Sequence, residues 1–185
     1  MKVFISSVLA GIMIAIGSIT YLQVGGAIGA FVFAVGLLSI MEFKFHLFTG
    51  KVSYLNSYKE LPYIITILCG NIIGCCLMFA FPSAAAIPIV ASKVAASPII
   101  TFIEAILCNI LIYVGVEGYK NDHLITLIFA IGAFILAGFE HSIASVCFII
   151  AAGAFTWPTL LYLLIVIAGN AIGGILFHKA RSVIK

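Results

Sequence analysis

Six stretches of this chain are apolar over roughly 20 residues each, the length a helix needs to cross a hydrocarbon core. They fall at roughly 3–22, 27–48, 61–81, 98–117, 123–143 and 157–177. No water reaches the middle of a bilayer, so backbone N–H and C=O groups there must bond within their own segment. Helices are therefore the form expected of these runs. The charge content agrees. Only 8% of the 185 residues are charged, against roughly 25% in a soluble domain, too few to cover a water-facing surface. The expectation is an all-α membrane protein, a single transmembrane domain over residues 1–185, with the lipid bilayer as its first partner. Met1-Lys2 opens directly into an apolar run, expected to be the first span and not a cleaved leader.

The placement of the few charges sets an orientation. Lys2, Lys51, Lys59, Lys120, Lys179, Arg181 and Lys185 fall at the two ends of the chain or in the links after the second and fourth helices. Lys93 falls in a link on the other side, and Lys44 within the second helix. Basic residues gather on the cytoplasmic face, which puts both termini in the cytoplasm and the chain in the cell inner (plasma) membrane as a multi-pass protein. The net charge of +3 is small and dispersed, so nucleic acid is not an expected partner. The five cysteines, Cys69, Cys75, Cys76, Cys108 and Cys147, lie inside apolar segments without metal-ligand spacing. They are expected to be small packed hydrophobes, with no metal and no cofactor implied. No paired catalytic carboxylates and no nucleophile beside a base appear, so an enzyme is not expected.

The two halves of the sequence resemble each other. Leu61-Pro-Tyr63 through Gly70-Asn71-Ile-Ile-Gly74 matches Leu160-Leu-Tyr162 through Gly169-Asn170-Ala-Ile-Gly173 at a constant offset of 99. Phe33-Ala-Val-Gly36 matches Phe129-Ala-Ile-Gly132 at an offset of 96. The glycines taken singly need mean only close helix packing. Together they pair the third helix with the sixth and the second with the fifth. A unit with an odd number of spans must enter the membrane upside down in its second copy. Two inverted three-helix repeats, about 1–82 and about 98–178, are therefore expected, an architecture that recurs in transport proteins.

Polar residues inside such spans are costly and mark pathways or buried pairs. The second helix ends in Glu42-Phe-Lys44-Phe-His46-Leu47-Phe48-Thr49-Gly50, and the fifth in Gly138-Phe139-Glu140-His141-Ser142-Ile143-Ala144-Ser145. Both stretches are expected to interrupt their helices near the midplane. Glu140 is expected to be a buried acceptor that ties down the interruption. The 96-residue offset pairs it with Lys44, which raises a Lys44–Glu140 ion pair. Glu42 and His46 are spaced for an i,i+4 contact, and His141 is expected to face the pathway.

These residues resemble the formate/nitrite transporter family. Gly138-Phe-Glu-His-Ser-Ile-Ala144 is similar to its histidine signature in all but the closing asparagine, where Ser145 stands. Leu47-Phe-Thr-Gly50 resembles the loop that interrupts the family's second helix, with Lys51 in place of its asparagine. Lys93 and Ile106-Leu-Cys-Asn109 resemble a lysine-to-asparagine spacing, with Ala105 replacing a glycine. The resemblance implies an aquaporin-like fold and a homopentamer in which each protomer has its own pore. It implies that His141 and Thr49 face each other at the pore centre. Lys93 would attract anions at the outer mouth, with Asn109 near it. Phe33 and Phe134 would form the apolar constrictions, with Leu37, Leu47 and Ile112 as neighbours.

The transport problem is to move a small monovalent anion past phenyl rings. An apolar passage disfavours the charged form of a weak acid and favours the neutral one. A histidine with an ordinary pKa near 6.5 suits a proton donor or relay at the midplane. The function expected is a channel or transporter for a formate, nitrite or hydrosulfide type anion, with protons as co-substrates. The alternative is a channel for water or small neutral solutes in which His141 only orients a loop.

Overall fold

The computed structural model describes residues 1–78 and 83–184, and every regular element among them is a helix. The end of the expected third helix, 79–81, together with Pro82 and Lys185, lies outside the described residues. In chain order the helices are α1 (Lys2–Val24), α2 (Gly26–Val32), α3 (Ala34–Glu42), α4 (Phe48–Val52), α5 (Leu61–Met78), α6 (Ala86–Ala95), α7 (Pro98–Lys120), α8 (Leu124–Leu136), α9 (Ser142–Ala152) and α10 (Trp157–Val183). A short 3₁₀ turn, Tyr58–Glu60, leads into α5. Four stretches are long and apolar enough to cross a membrane unaided: Lys2–Val24, Tyr58–Met78, Pro98–Lys120 and Trp157–Val183. The chain is a multi-pass helical membrane protein.

Its two largest helix contacts are α1 with α5 and α7 with α10. Glycines set both. A Cβ on Gly74 would overlap the Val8 carbonyl oxygen, and one on Gly173 would overlap that of Ile106. Where lipid is as apolar as the side chains, only such close approach makes one helix prefer another. Val8 and Ile106 stand 98 residues apart, Gly74 and Gly173 stand 99 apart, and the same crossing is built twice.

The ends of α3 and α8 repeat as well. In the first, Lys44 N–H donates to Met41 C=O and Phe45 N–H to Ile40 C=O. In the second, Gly138 N–H donates to Ile135 C=O and Phe139 N–H to Phe134 C=O. Both are helix ends of the Schellman type, in which the residue past the helix turns left-handed. Lys44 has φ 57° and Gly138 φ 77°. These bonds align the halves at an offset of 94, not the 96 read from Phe33 and Phe129. Lys44 therefore corresponds to Gly138, and Glu140 to His46.

Four further departures from the sequence reading share one cause. The expected helix 27–48 is α2 and α3, joined at Phe33, and gives way at residues 43–47 to a loop before α4. The expected helix 123–143 ends at Leu136, and a separate helix, α9, runs over Ser142–Ala152, past the end of the expected span. The link after the third expected helix holds α6. Glu42 and His46 do not meet, because α3 ends at Glu42: its Oε2 accepts from Tyr119 Oη at 2.5 Å, while His46 Nδ1 lies 2.7 Å from Ser6 Oγ. Short helices such as α4, α6 and α9 cannot span a bilayer. Only tertiary partners make them worth forming.

Candidate permeation site

The loops that follow α3 and α8 carry unpaired backbone groups into the protein interior, where each must find a partner. Two buried asparagines supply them. Asn71 on α5 accepts from Phe48 N–H through Oδ1 at 2.8 Å, and its Nδ2 donates to the carbonyls of Ser7 at 2.7 Å and His46 at 2.9 Å. Asn170 on α10 accepts from Ser142 N–H at 2.8 Å and donates to the carbonyls of Ala105 at 2.8 Å and Glu140 at 2.7 Å. Each amide uses one oxygen and two hydrogens to pin a loop between two helices. The motif tyrosines stand beside them. The Tyr63 ring packs edge-on against His46 at 6.0 Å, and Tyr162 Oη donates to Glu140 Oε2 at 2.5 Å.

His141, 3% exposed, is the N-cap of α9. Its Nδ1 accepts from Ala144 N–H at 3.1 Å. A ring nitrogen that accepts holds no hydrogen, so the neutral imidazole carries its proton on Nε2. That nitrogen lies 3.2 Å from Thr49 Oγ1 on α4. The Phe134 ring stacks on the imidazole at 5.7 Å and 19°. Phe33 then meets Phe134 edge-on at 6.3 Å.

His141, Phe134 and Phe33 line a cavity of about 80 Å³ together with Lys93, Glu140 and Ser145. Lys93, from α6, does not stand free at its rim. Its Nζ lies 2.9 Å from Glu140 Oε2 and donates to the Gly138 carbonyl at 3.2 Å. The Lys44–Glu140 pair raised from sequence is thus replaced by Lys93–Glu140, because Lys44 belongs to the register of Gly138 and faces another cavity.

That second cavity, of about 630 Å³, includes Leu37, Leu47, Lys44, Lys51 and Lys120 in its lining. Lys93 shortly precedes α7 and Lys120 closes it, and a helix of 23 residues is about 35 Å long. The two cavities therefore open at opposite ends of the molecule. Between them stand Thr49, His141, Leu37, Leu47, Phe33 and Phe134, none more than 3% exposed. Both phenyl rings line the Lys93 cavity together with His141, whereas Leu37 and Leu47 line the other cavity.

Asn109 and Ile112 line neither cavity. Asn109, fully buried, donates through Nδ2 to the Asn170 carbonyl at 2.7 Å and to Ser53 Oγ at 3.4 Å, a tie between α7 and α10. Ile112 is core. At the Lys120 end a polar cluster holds the lower loop. Glu117 accepts from Tyr54 Oη at 2.6 Å and Lys120 Nζ at 3.0 Å, and pairs with Arg181. Burial first, then the Glu117 bond, holds the Tyr54 phenol above its ordinary range.

A sequence profile described as formate/nitrite transporter matches residues 1–183. The chain belongs to the formate/nitrite transporter family. A solved structure described as a pentameric formate channel with formate bound is similar to it with a TM-score of 0.86. The identity is 21%, over 99% of this chain and 96% of that one. Another, described as an FNT family ion channel, has a TM-score of 0.87 at 20% identity, over 98% of this chain and 88% of that one. At such identities the likeness shows a shared fold. No curated protein matches the chain. Several residues of this formate/nitrite transporter site escaped the sequence reading. Tyr21 and Phe148, which line the Lys93 cavity, gave no signal of their own, while Ser145 and Tyr162 stood in the two motifs without revealing the 2.8 Å hydrogen bond between them. Asn71 and Asn170 stood in plain view in the duplicated motif, which marks a repeat without revealing what the amides hold.

Proposed function

We propose that the chain is a channel for a small monovalent weak-acid anion of the formate, nitrite or hydrosulfide type, linked to protons through His141. The observation that carries this is the imidazole Nε2, aimed at Thr49 beneath a phenyl-lined gate, between two cavities that open at opposite ends. A bare anion would lose its hydration at Phe33 and Phe134 and gain little in return. A neutral acid passes at far lower cost. Nε2 and the Thr49 hydroxyl, 3.2 Å apart, offer polar groups to a solute leaving the aromatic gate. There the imidazole donates or relays the proton that keeps the solute neutral until it reaches the Leu37 and Leu47 side.

The architecture we infer has six spans in two inverted three-helix repeats, with α3–α4 and α8–α9 each reading as an interrupted span. The doubled glycine crossing, the doubled helix end and the doubled asparagine bracket support it. We place both termini in the cytoplasm of an inner (plasma) membrane, since Lys44, Lys51 and Lys120 share one mouth. A homopentamer is inferred from the pentameric neighbour.

The test is flux of formate, nitrite and hydrosulfide into proteoliposomes at pH 5.5 and 7.5, with His141→Asn beside the wild type. Asparagine is among the best N-caps, so it can keep the Ala144 bond while removing the titratable ring. Wild-type flux should rise with acidity and the variant's dependence should flatten. An unchanged pH profile would remove the proton role. One observation favours a second reading, a neutral-solute channel: Lys93 is already paired with Glu140 and lends its cavity little net charge. Glycerol and water flux exceeding anion flux would select it.

A further inference from the structure

The two cavities differ in charge. Beside His141, Lys93 is matched by Glu140. The opposite cavity is lined by Lys44, Lys51 and Lys120 against a single acid, Asp122. Lys120 is engaged by Glu117. Lys44 and Lys51 have no ion-pair partner among the described residues, although Lys51 is half-buried.

Lys44 also occupies a backbone conformation that suits it poorly. It turns left-handed at φ 57°, where the matching helix end uses Gly138. A side chain with a Cβ costs roughly 1 kcal/mol in that region relative to glycine. A strained residue that projects a charge into a cavity, where the duplicate position shows glycine suffices, points to a use for the charge. Lys51 belongs to the same arrangement. It follows Thr49 by two residues on α4, so its backbone is tied to the element that faces His141.

We propose that Lys44 and Lys51 form an anion-binding subsite in the cavity on the Leu47 side, which holds the permeating anion before or after it crosses the His141 level. The subsite rests on the anion-channel reading above. It assigns the stronger electrostatic attraction to this mouth instead of the Lys93 mouth. Its ligand is a small monovalent anion, held by two ammonium groups at a half-hydrated wall. Leu37 and Leu47, which line the same cavity, stand next on the route.

The experiment measures formate uptake against concentration in vesicles of both orientations, for wild type, Lys44→Gly, Lys51→Gln, the double variant and Lys51→Arg. For uptake from the lysine-rich mouth, each neutralising change should raise the half-saturating concentration about threefold, and the pair about tenfold. Uptake from the Lys93 mouth should keep its half-saturation within about twofold, and Lys51→Arg should resemble the wild type. Salt should erase the wild type's advantage, because the Debye length falls from about 30 Å at 0.01 M to about 3 Å at 1 M. Lys44→Gly should melt at or above the wild-type temperature, since it relieves the backbone, so a weaker half-saturation cannot be ascribed to misfolding. Wild-type formate flux with unchanged half-saturation in the double variant would overturn the subsite alone. Wild-type vesicles that pass no anion would overturn the channel reading and the subsite with it.

Discussion

Replacing Asn170 by leucine changes little in volume and removes every polar contact that the side chain makes. Three backbone groups lose their partner: Ser142 N–H, Ala105 C=O and Glu140 C=O. Asn170 is fully buried, so no water replaces it. Interhelical hydrogen bonds in membrane proteins average about 0.6 kcal/mol each, because the separated helices find other partners. That sets a floor of about 2 kcal/mol for three. The loop at 137–141 has no regular helical pattern to fall back on, and an unsatisfied buried backbone group costs about 1–3 kcal/mol. The larger effect should win, for a loss of about 3–5 kcal/mol. For a chain of this length each kcal/mol moves a melting temperature by roughly 2–4 °C, so Asn170→Leu should melt about 10 °C lower in detergent. Thr66→Val is the control: its hydroxyl bonds only the Pro62 carbonyl on an exposed helix face, and its loss should move the midpoint little. Because Asn170 grips the residues on both sides of His141, flux should fall more steeply than stability. An Asn170→Leu protein that melts with the wild type and conducts normally would refute the bracket.

Three other outcomes follow from the same contacts. Lys93→Ala strands the Glu140 carboxylate against Tyr162 and should cost about 3 kcal/mol, whereas Lys93→Ala with Glu140→Gln should recover at least half, as read by thermal melting of both variants. Gly74→Ala and Gly173→Ala drive a methyl group into facing backbone and should each cost about 1–3 kcal/mol with a lower folded yield. Gly50→Ala meets open space and should be neutral in the same assay. Phe134→Ala removes one half of the aromatic gate and the stack on His141, and should raise glycerol leak in a light-scattering assay.

Where sequence and structure agree, a local chemical signal was present. Gly138 opens the stretch expected to interrupt the fifth helix, and glycine is the common residue at a left-handed helix terminus, although the apolar run alone carries the expected helix on to 143. The same turn after α3 carries Lys44, which announces nothing, and the apolar run alone carries the expected helix to residue 48. His141 followed by Ser142-Ile-Ala was visible as a motif, and its place at the mouth of a helix follows from its capping bond to Ala144. Lys93 was visible as an isolated cation between spans. Its partner was not, since Glu140 lies 47 residues further along the chain and no periodicity links them. The family resemblance implies a place for Asn109 near Lys93. In the fold its amide is turned toward α10 and Ser53, a direction that helix phase and neighbours decide together.

The apolar runs, the scarcity of charge and the doubled Gly-Asn motif belong to the chain itself. Hydrophobic length, residue type and repetition are one-dimensional properties, and a bilayer reads them directly. Which cation meets Glu140, which asparagine pins which loop, and which aromatic ring stacks on the imidazole were decided by packing. Those pairings join residues tens of positions apart, through distances that only close helix crossings and left-handed turns can set.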